Sequence, residues 1–279
     1  MLNHTNPDPA LGPDERAVVR PHPFLQEPAV YKALSLAIDR VLLAEVGYGE
    51  GGQVTCNWVP APAAFNSDSF DCSTQDIAGA NALLDEAGFV DTDGDGIREA
   101  NGVPMKLLFQ TSTNAVRQDY QALIKSWWAE IGVSTELRNI NASVFFGGDP
   151  GSPDTFQKFY ADVEMYTNNF SGTDPQAYLG NGLCSAAPSP ASQWQGSNVT
   201  RFCMEEFDEL WQELANTADL NERARIGKEL NDMAIGNGMM IPLTHRGTIS
   251  AHSNSLGGVA LNVWDTQLWN VHEWYRIDG

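Results

Sequence analysis

Positive charge is scarce in this sequence: 16 lysines and arginines stand against 36 aspartates and glutamates, for a formal net charge of −20. A surface of that sign repels phosphate backbones and anionic lipid, so nucleic acid is not an expected partner. The five histidines (His4, His22, His245, His252, His272) are scattered and no CxxC pair occurs, which argues against a zinc site. No run of about 18 apolar residues is present to span a membrane. The start, Met1-Leu2-Asn3-His4, lacks the basic and apolar stretches of a signal peptide. Either the protein stays in the cytoplasm or a secretion signal lies upstream. Hydrolase signatures such as GxSxG and HExxH are missing, as is the phosphate-loop lysine motif. Gly47-Tyr48-Gly49-Glu50-Gly51-Gly52 fits GxGxxG formally. It follows a helical pattern and opens a loop, whereas a dinucleotide site needs a strand before it and a helix after it.

What is present is enough apolar residue, 42% of 279, for one large core or two small ones. Four cysteines allow three pairings. The local one, Cys56–Cys72 with Cys184–Cys203, would staple two loops rich in Pro, Ser, Asn and Gly; four separate buried thiols are the alternative. Residues 1–26 read as extended and Pro-rich. A helix is expected from Pro28, with Val30, Ala33, Leu34, Ala37, Ile38, Val41 and Leu42 on one face and Gly47 ending it. A second runs from about Gln75 to Ala87, with Ser73 and Asp76 as a capping box. Met105, Leu107 and Phe109 suggest a strand, Ala115–Ile131 a helix, and Val133, Thr135 and Leu137 another strand, which together make a βαβ unit. Ala161, Val163 and Met165 mark a further strand that leads into a polar loop. Helices are expected near Glu205–Asn216 and Asn221–Ile235, then strands over Met239–Leu243 and near Val271–Ile277. The fold class is mixed α/β.

One local motif carries chemistry. Asp91-Thr92-Asp93-Gly94-Asp95-Gly96-Ile97-Arg98-Glu99 reproduces the first half of a calcium loop. Asp91, Asp93 and Asp95 would supply carboxylates, Ile97 a carbonyl and Glu99 a further oxygen. The usual last ligand, a glutamate, is replaced by Gly102. A structural calcium is therefore one reading and a metal-free acidic turn the other; no other cofactor is called for.

Several segments, in order, resemble the family 5 extracellular solute-binding proteins, which bring peptides and related ligands to ABC importers. Val30-Tyr31-Lys32-Ala33-Leu34-Ser35-Leu36-Ala37-Ile38-Asp39-Arg40 is similar to the family's RxALxxAIDR helix. Ala80 to Phe89, the acidic loop and Asn101-Gly102 resemble its AxxLLxEAGxxDxDGDG stretch. Ile124 to Val133, Phe202 to Leu210, Asn221-Glu222-Arg223 and Ile241-Pro242-Leu243 match later elements. The likeness implies a periplasmic-binding-protein type II-like C-terminal lobe with a mixed sheet flanked by helices. It divides the chain into a lead-in from a missing first lobe (1–26), a ligand-binding lobe (27–240) and strands returning toward the first lobe (241–279). It also implies export, an extracytoplasmic or periplasmic location (with a lipoprotein anchor as one form), and both disulfides. ABC permease subunits are the implied partners of what is expected to be a monomer.

The family's ligand-anchoring loop corresponds to Tyr166–Pro175. Where many peptide binders carry an aspartate four residues before the proline, this chain has Ser171, and Asn168 replaces a common aromatic. Tyr166, Asn168, Asn169, Phe170, Ser171 and Asp174 are thus the candidate ligand-binding residues, with Trp58 beside them; an ordinary surface turn is the plainer reading. Asp174 precedes Pro175 and would equally well cap the next helix. Amides and a hydroxyl beside Phe170 suit an opine or oligosaccharide as well as a peptide. The expected function is a binder without chemistry of its own. A secreted α/β hydrolase is the alternative, and a peptide sensor or chaperone a weaker third.

Overall fold

A computed structural model describes residues 1–8, 10–11, 20–169, 172–247, 250–262 and 265–277. In chain order these form α1 (Pro28–Leu36), α2 (Arg40–Tyr48), β1 (Gly52–Val54), α3 (Ile77–Glu86), β2 (Glu99–Ala100), β3 (Val103–Pro104), β4 (Lys106–Ser112) and α4 (Ala115–Ala129). There follow β5 (Ser134–Ile140), α5 (Ala142–Phe145), β6 (Val163–Met165), α6 (Gln176–Leu179), α7 (Glu205–Asn216), α8 (Leu220–Gly236), β7 (Thr244–Arg246), β8 (Leu256–Gly257) and β9 (Tyr275–Arg276).

The single helix expected from Pro28 is two. Asp39 adopts an extended backbone and its side chain accepts from Leu42 N, which starts α2 afresh and turns Val41 outward, 55% exposed. Arg40, next in line, is sunk in the interior. Its guanidinium donates to the carbonyls of Pro242, Ser35 and Cys72 and to Ser35 Oγ. Burial without a carboxylate lowers its pKa to about 10. At α3, Asp76 is the N-cap on Gly79 N, whereas Ser73 bonds back to Asp71, so the capping box does not form. Gly88 ends this helix at φ +78, the left-handed region in which glycine carries no Cβ penalty.

The core sheet is parallel, in the order β5-β4-β6. Phe109 sits opposite Leu137 on one side and Val163 on the other. Its ring packs on Trp128 of α4 at 5.7 Å, and Trp128 Nε1 donates to Leu34 O, which binds α1 to the same core. Leu2 bridges Val163 from the outer edge, and Asn3 donates to Phe159 O and Ala161 O. The first residues are thus extended, as expected, and also buried.

A second core gathers Phe202, Phe207, Leu214, Ile226, Leu230 and Met239 around α7 and α8. The long loop after β1 lies on this half. Asn231 of α8 accepts from Trp58 N and Val59 N, and Asp232 accepts from Ser67 and Ser69 hydroxyls. Cys56 is bonded to Cys72 and Cys184 to Cys203. Cross-links closing loops of that size contribute on the order of 3 kcal/mol each. The strand expected over Met239–Leu243 begins later, as β7, because Pro242 O and Leu243 O are taken by Arg40 Nε and Thr55 N outside a ladder. Near the end, Val271–Glu273 is a single helical turn and only Tyr275–Arg276 pairs as a strand.

Candidate functional site

Parallel strands put all their carboxyl ends at one edge, and in open α/β sheets ligands bind outside that edge. Three segments leave it here. Asn114 caps α4 through Arg117 N, Asn141 caps α5 through Ser143 N, and the residues after Met165 form the polar loop.

Tyr166 opens that loop as part of its wall. Its ring meets Phe156, Phe146 and Phe145 at 5.4, 6.3 and 6.5 Å, and burial pushes its phenol well above the usual range. Asn168 and Asn169 are exposed, and Asn168 Oδ1 accepts from Asn169 N. Asn168 neighbours Tyr178, whose phenol is raised by burial, with Trp58 and Asn168 acting in the opposite sense. Trp58 stands against Tyr178 at 5.4 Å and Phe207 at 6.5 Å, only 5% exposed. A ligand at this edge would meet little of it. Phe170 and Ser171 lie outside the described residues.

Asp174 is committed elsewhere. Arg223 Nε donates to its Oδ2 at 2.7 Å and Nη2 to its Oδ1 at 2.9 Å, and Gln176 N donates to Oδ1 as α6 begins. Hydrogen bonds from Arg223 hold its carboxyl below the ordinary range. With both oxygens engaged, Asp174 positions α6 against α8. The cap position of α6 is Pro175, and Asp174 stands one residue before it.

Residues that sequence reasoning passed over stand at the same edge. Arg117 donates to Ser112 Oγ at 2.6 Å and lies 5.6 Å over the ring of Phe146, which is 42% exposed. An arginine in the first turn of a helix is ordinarily a solvated charge, so its spacing carried no signal. The GxGxxG segment ends α2 and enters β1 through a short turn, which is not the strand-to-helix setting of a dinucleotide site.

The acidic loop lies at the opposite, amino-terminal end of the sheet, where Met105 N donates to Arg98 O. Ligand atoms of Asp91, Asp93, Asp95 and Glu99 fall within 4.8 Å of one another. Asp91 accepts from Gly94 N and Gly96 N, Asp95 from Ile97 N, and Glu99 from Thr92. These bonds hold Asp91 below the usual carboxylate range. The loop is already folded around its own carboxylates.

Comparison with known proteins agrees with this arrangement. The family described as bacterial extracellular solute-binding proteins, family 5 middle, matches residues 2–189. The glutathione-binding protein GsiB of Salmonella typhimurium is 24% identical over 237 residues, 85% of this chain and 42% of that protein. The oligopeptide-binding protein AppA of Bacillus subtilis, solved with a nonapeptide, superposes with a TM-score of 0.71 at 18% identity, over 91% of this chain and 48% of its own. NikZ of Campylobacter jejuni, solved with Ni(L-His), gives 0.72 at 23%, over 91% and 49%. The chain thus spans less than half the length of these proteins, and the mixed α/β fold is part of theirs. Family 5 is a solute-binding family and not an enzyme family. On the match that runs from Leu2 through two thirds of its length, this chain belongs to the bacterial extracellular solute-binding proteins of family 5.

Proposed function

We propose that this chain is the C-terminal ligand-contacting portion of an ABC importer's substrate-binding component. It would hold a peptide or related small solute, opines and oligosaccharides included, in a cleft completed by a second lobe, and pass it to the membrane permease. The observation that carries this reading is the exposed Asn168-Asn169 pair directly after β6, at the sheet edge where ligands of such folds sit. Residues 1–26 and 241–279 would connect to the first lobe, and 27–240 would present Tyr166, Asn168, Asn169, Phe170, Ser171 and Asp174 to the ligand, with Trp58 beside them. Two disulfides suit an oxidising, extracytoplasmic compartment, with periplasmic residence and a lipid anchor as its finer form. The working unit is a monomer. The test is a thermal-shift screen of peptides, opines and oligosaccharides, with each ligand recovered and weighed by mass spectrometry. A ligand that raises the melting temperature and is recovered unchanged supports a binder; recovery of cleaved product reinstates the hydrolase.

A calcium ion in the acidic loop is a second, separate proposal. It is favoured by four carboxylate groups converging within 4.8 Å on an exposed turn, an oxygen-rich setting that suits a hard divalent cation. Melting with calcium against melting with chelator decides it. A higher melting temperature with calcium, lost in Asp93→Ala, is expected; identical melts reject the ion.

A further inference from the structure

Five pairs among the described residues place glycine directly after an asparagine or aspartate: Asp93-Gly94, Asp95-Gly96, Asn101-Gly102, Asn181-Gly182 and Asn237-Gly238. Such pairs are chemically labile, because glycine has no side chain to hinder its nitrogen from reaching the preceding carboxyl or amide carbon. Attack needs that nitrogen free of a hydrogen bond and a backbone able to leave its turn.

Four of the five are closed by the fold. Gly94 N donates to Asp91 Oδ1 at 2.7 Å and Gly96 N to Asp91 Oδ2 at 2.9 Å. Gly238 N donates to Ile235 O at 3.2 Å. Gly182 is buried in a helical turn, where a Cβ would stand 2.7 Å from the Phe207 ring and 3.3 Å from that of Trp58.

Asn101-Gly102 is the exception. The pair turns the hairpin between β2 and β3, and both residues are exposed. Gly102 N has no acceptor among the described residues, and a Cβ on Gly102 would meet nothing within 4 Å. Both positions are left-handed, with φ +55 at Asn101 and +76 at Gly102, a turn that asparagine followed by glycine tolerates best. β2 and β3 have two residues each, so only a short ladder keeps the turn shut. Asn101 also holds a tertiary tie. Its Nδ2 donates to Pro23 O at 3.3 Å and to Glu27 Oε1 at 3.2 Å, and Glu27 is the cap residue of α1. A carboxylate at this position could donate to neither oxygen and would face Glu27 with like charge.

We propose that Asn101 is a site of spontaneous deamidation, and that the modification detaches the β2–β3 hairpin from the start of α1. Gly102 N gives up its proton to hydroxide and bonds to Asn101 Cγ, and the side-chain nitrogen leaves as ammonia. Water then opens the five-membered imide. Opening at the side-chain carbonyl yields aspartate, and opening at the main-chain carbonyl yields isoaspartate. Water is the co-reactant, and nothing is oxidised or reduced.

The test incubates the folded chain in mildly alkaline buffer and follows each asparagine peptide by mass spectrometry for the amide-to-acid mass gain. The Asn101 peptide should convert roughly tenfold or more faster than those of Asn181 and Asn237. In urea, where the fold shields none of them, the three should convert at similar rates. Equal rates in the folded chain, or conversion of Asn101 in urea alone, would overturn the site. Asn101→Asp installs one product directly and should lower the melting temperature by roughly 2–4 °C. Adding Glu27→Gln, whose new amide can donate to that carboxylate, should recover most of the loss. An unchanged melting temperature in Asn101→Asp, or no recovery in the double variant, would overturn the detachment.

Discussion

The two ends of the central parallel sheet are built from similar residue types and treat their polar groups in opposite ways. At the amino end, Asp162 accepts from His22 Nε2 at 2.9 Å and from Leu108 N at 2.6 Å. His22 Nδ1 accepts from the backbone of Phe24 and Leu25, and His4 meets Gly238 O. Every one of these groups is closed upon another part of the chain. At the carboxyl end, Asn168 and Asn169 face outward, Phe146 is half exposed, and Arg117 has no carboxylate partner among the described residues. Satisfied polar groups hold a fold; polar groups left with spare capacity at a fixed position are free to serve a ligand. The difference supports the proposal that the carboxyl edge meets the ligand.

The sharpest way to break the comparison is to exchange the expected consequences. Asp162→Ala removes the acceptor of two nearly buried donors, and should cost about 2–4 kcal/mol in urea unfolding while leaving ligand affinity unchanged. A fall in affinity at equal occupancy of the folded state would mean that the amino end also serves the site. Asn168→Ala should behave in reverse. It should weaken ligand binding by about 1–2 kcal/mol in calorimetry and leave stability within about 0.5 kcal/mol. Loss of stability without loss of affinity would make the loop an ordinary turn.

A smaller effect separates a buried charge from either edge. Glu164 on β6 is fully buried, and desolvation pushes its pKa up to about 8, opposed by Gln110 Nε2, the Met1 ammonium and Arg201. A raised folded-state pKa gives a contribution that is complete below the ordinary value of 4.5 and is lost as pH rises through about 8. Glu164→Gln removes that loss, and its new amide can donate to the unpartnered Gln110 Oε1. The variant and the parent should therefore be alike near pH 4.5, and the variant should gain up to about 8, then level off. Parallel stability curves across that window would show Glu164 to be ionised in the fold throughout.

Periodicity made much of this architecture legible. The βαβ unit of β4, α4 and β5, with Phe109 inward, follows from spacing alone, as do α7 and α8. The apolar pattern of α4 puts Val116, Tyr120, Leu123, Trp127 and Ile131 on one face, whereas the structure buries Ile124 and Trp128 beside Tyr120 and Trp127. Asp39 was misread because a capping aspartate inside an apolar stripe looks like one polar residue on a continuous helix, and only its side-chain bond to Leu42 N shows the break. The loop after β6 was legible as a place, from its polarity and its position behind a strand. Its roles were less so. Asp174 finds its partner 49 residues away on α8, and Tyr120 meets Tyr48 and Thr244 only once α2, α4 and β7 have packed. Contacts so remote along the chain leave no local pattern to read.

The most direct measurement of the difference between the two edges is backbone amide NMR of this chain during titration with a mixed tripeptide pool, a method that registers the weak binding expected of one face of a cleft. Saturable shifts should gather at Ser112 to Arg117 and at Tyr166 to Asn169, with Leu2 to Thr5, His22 and Asp162 unmoved. Shifts gathered instead at the amino end, around Val103 to Leu108 and Tyr160 to Asp162, would contradict the assignment of function to the carboxyl edge.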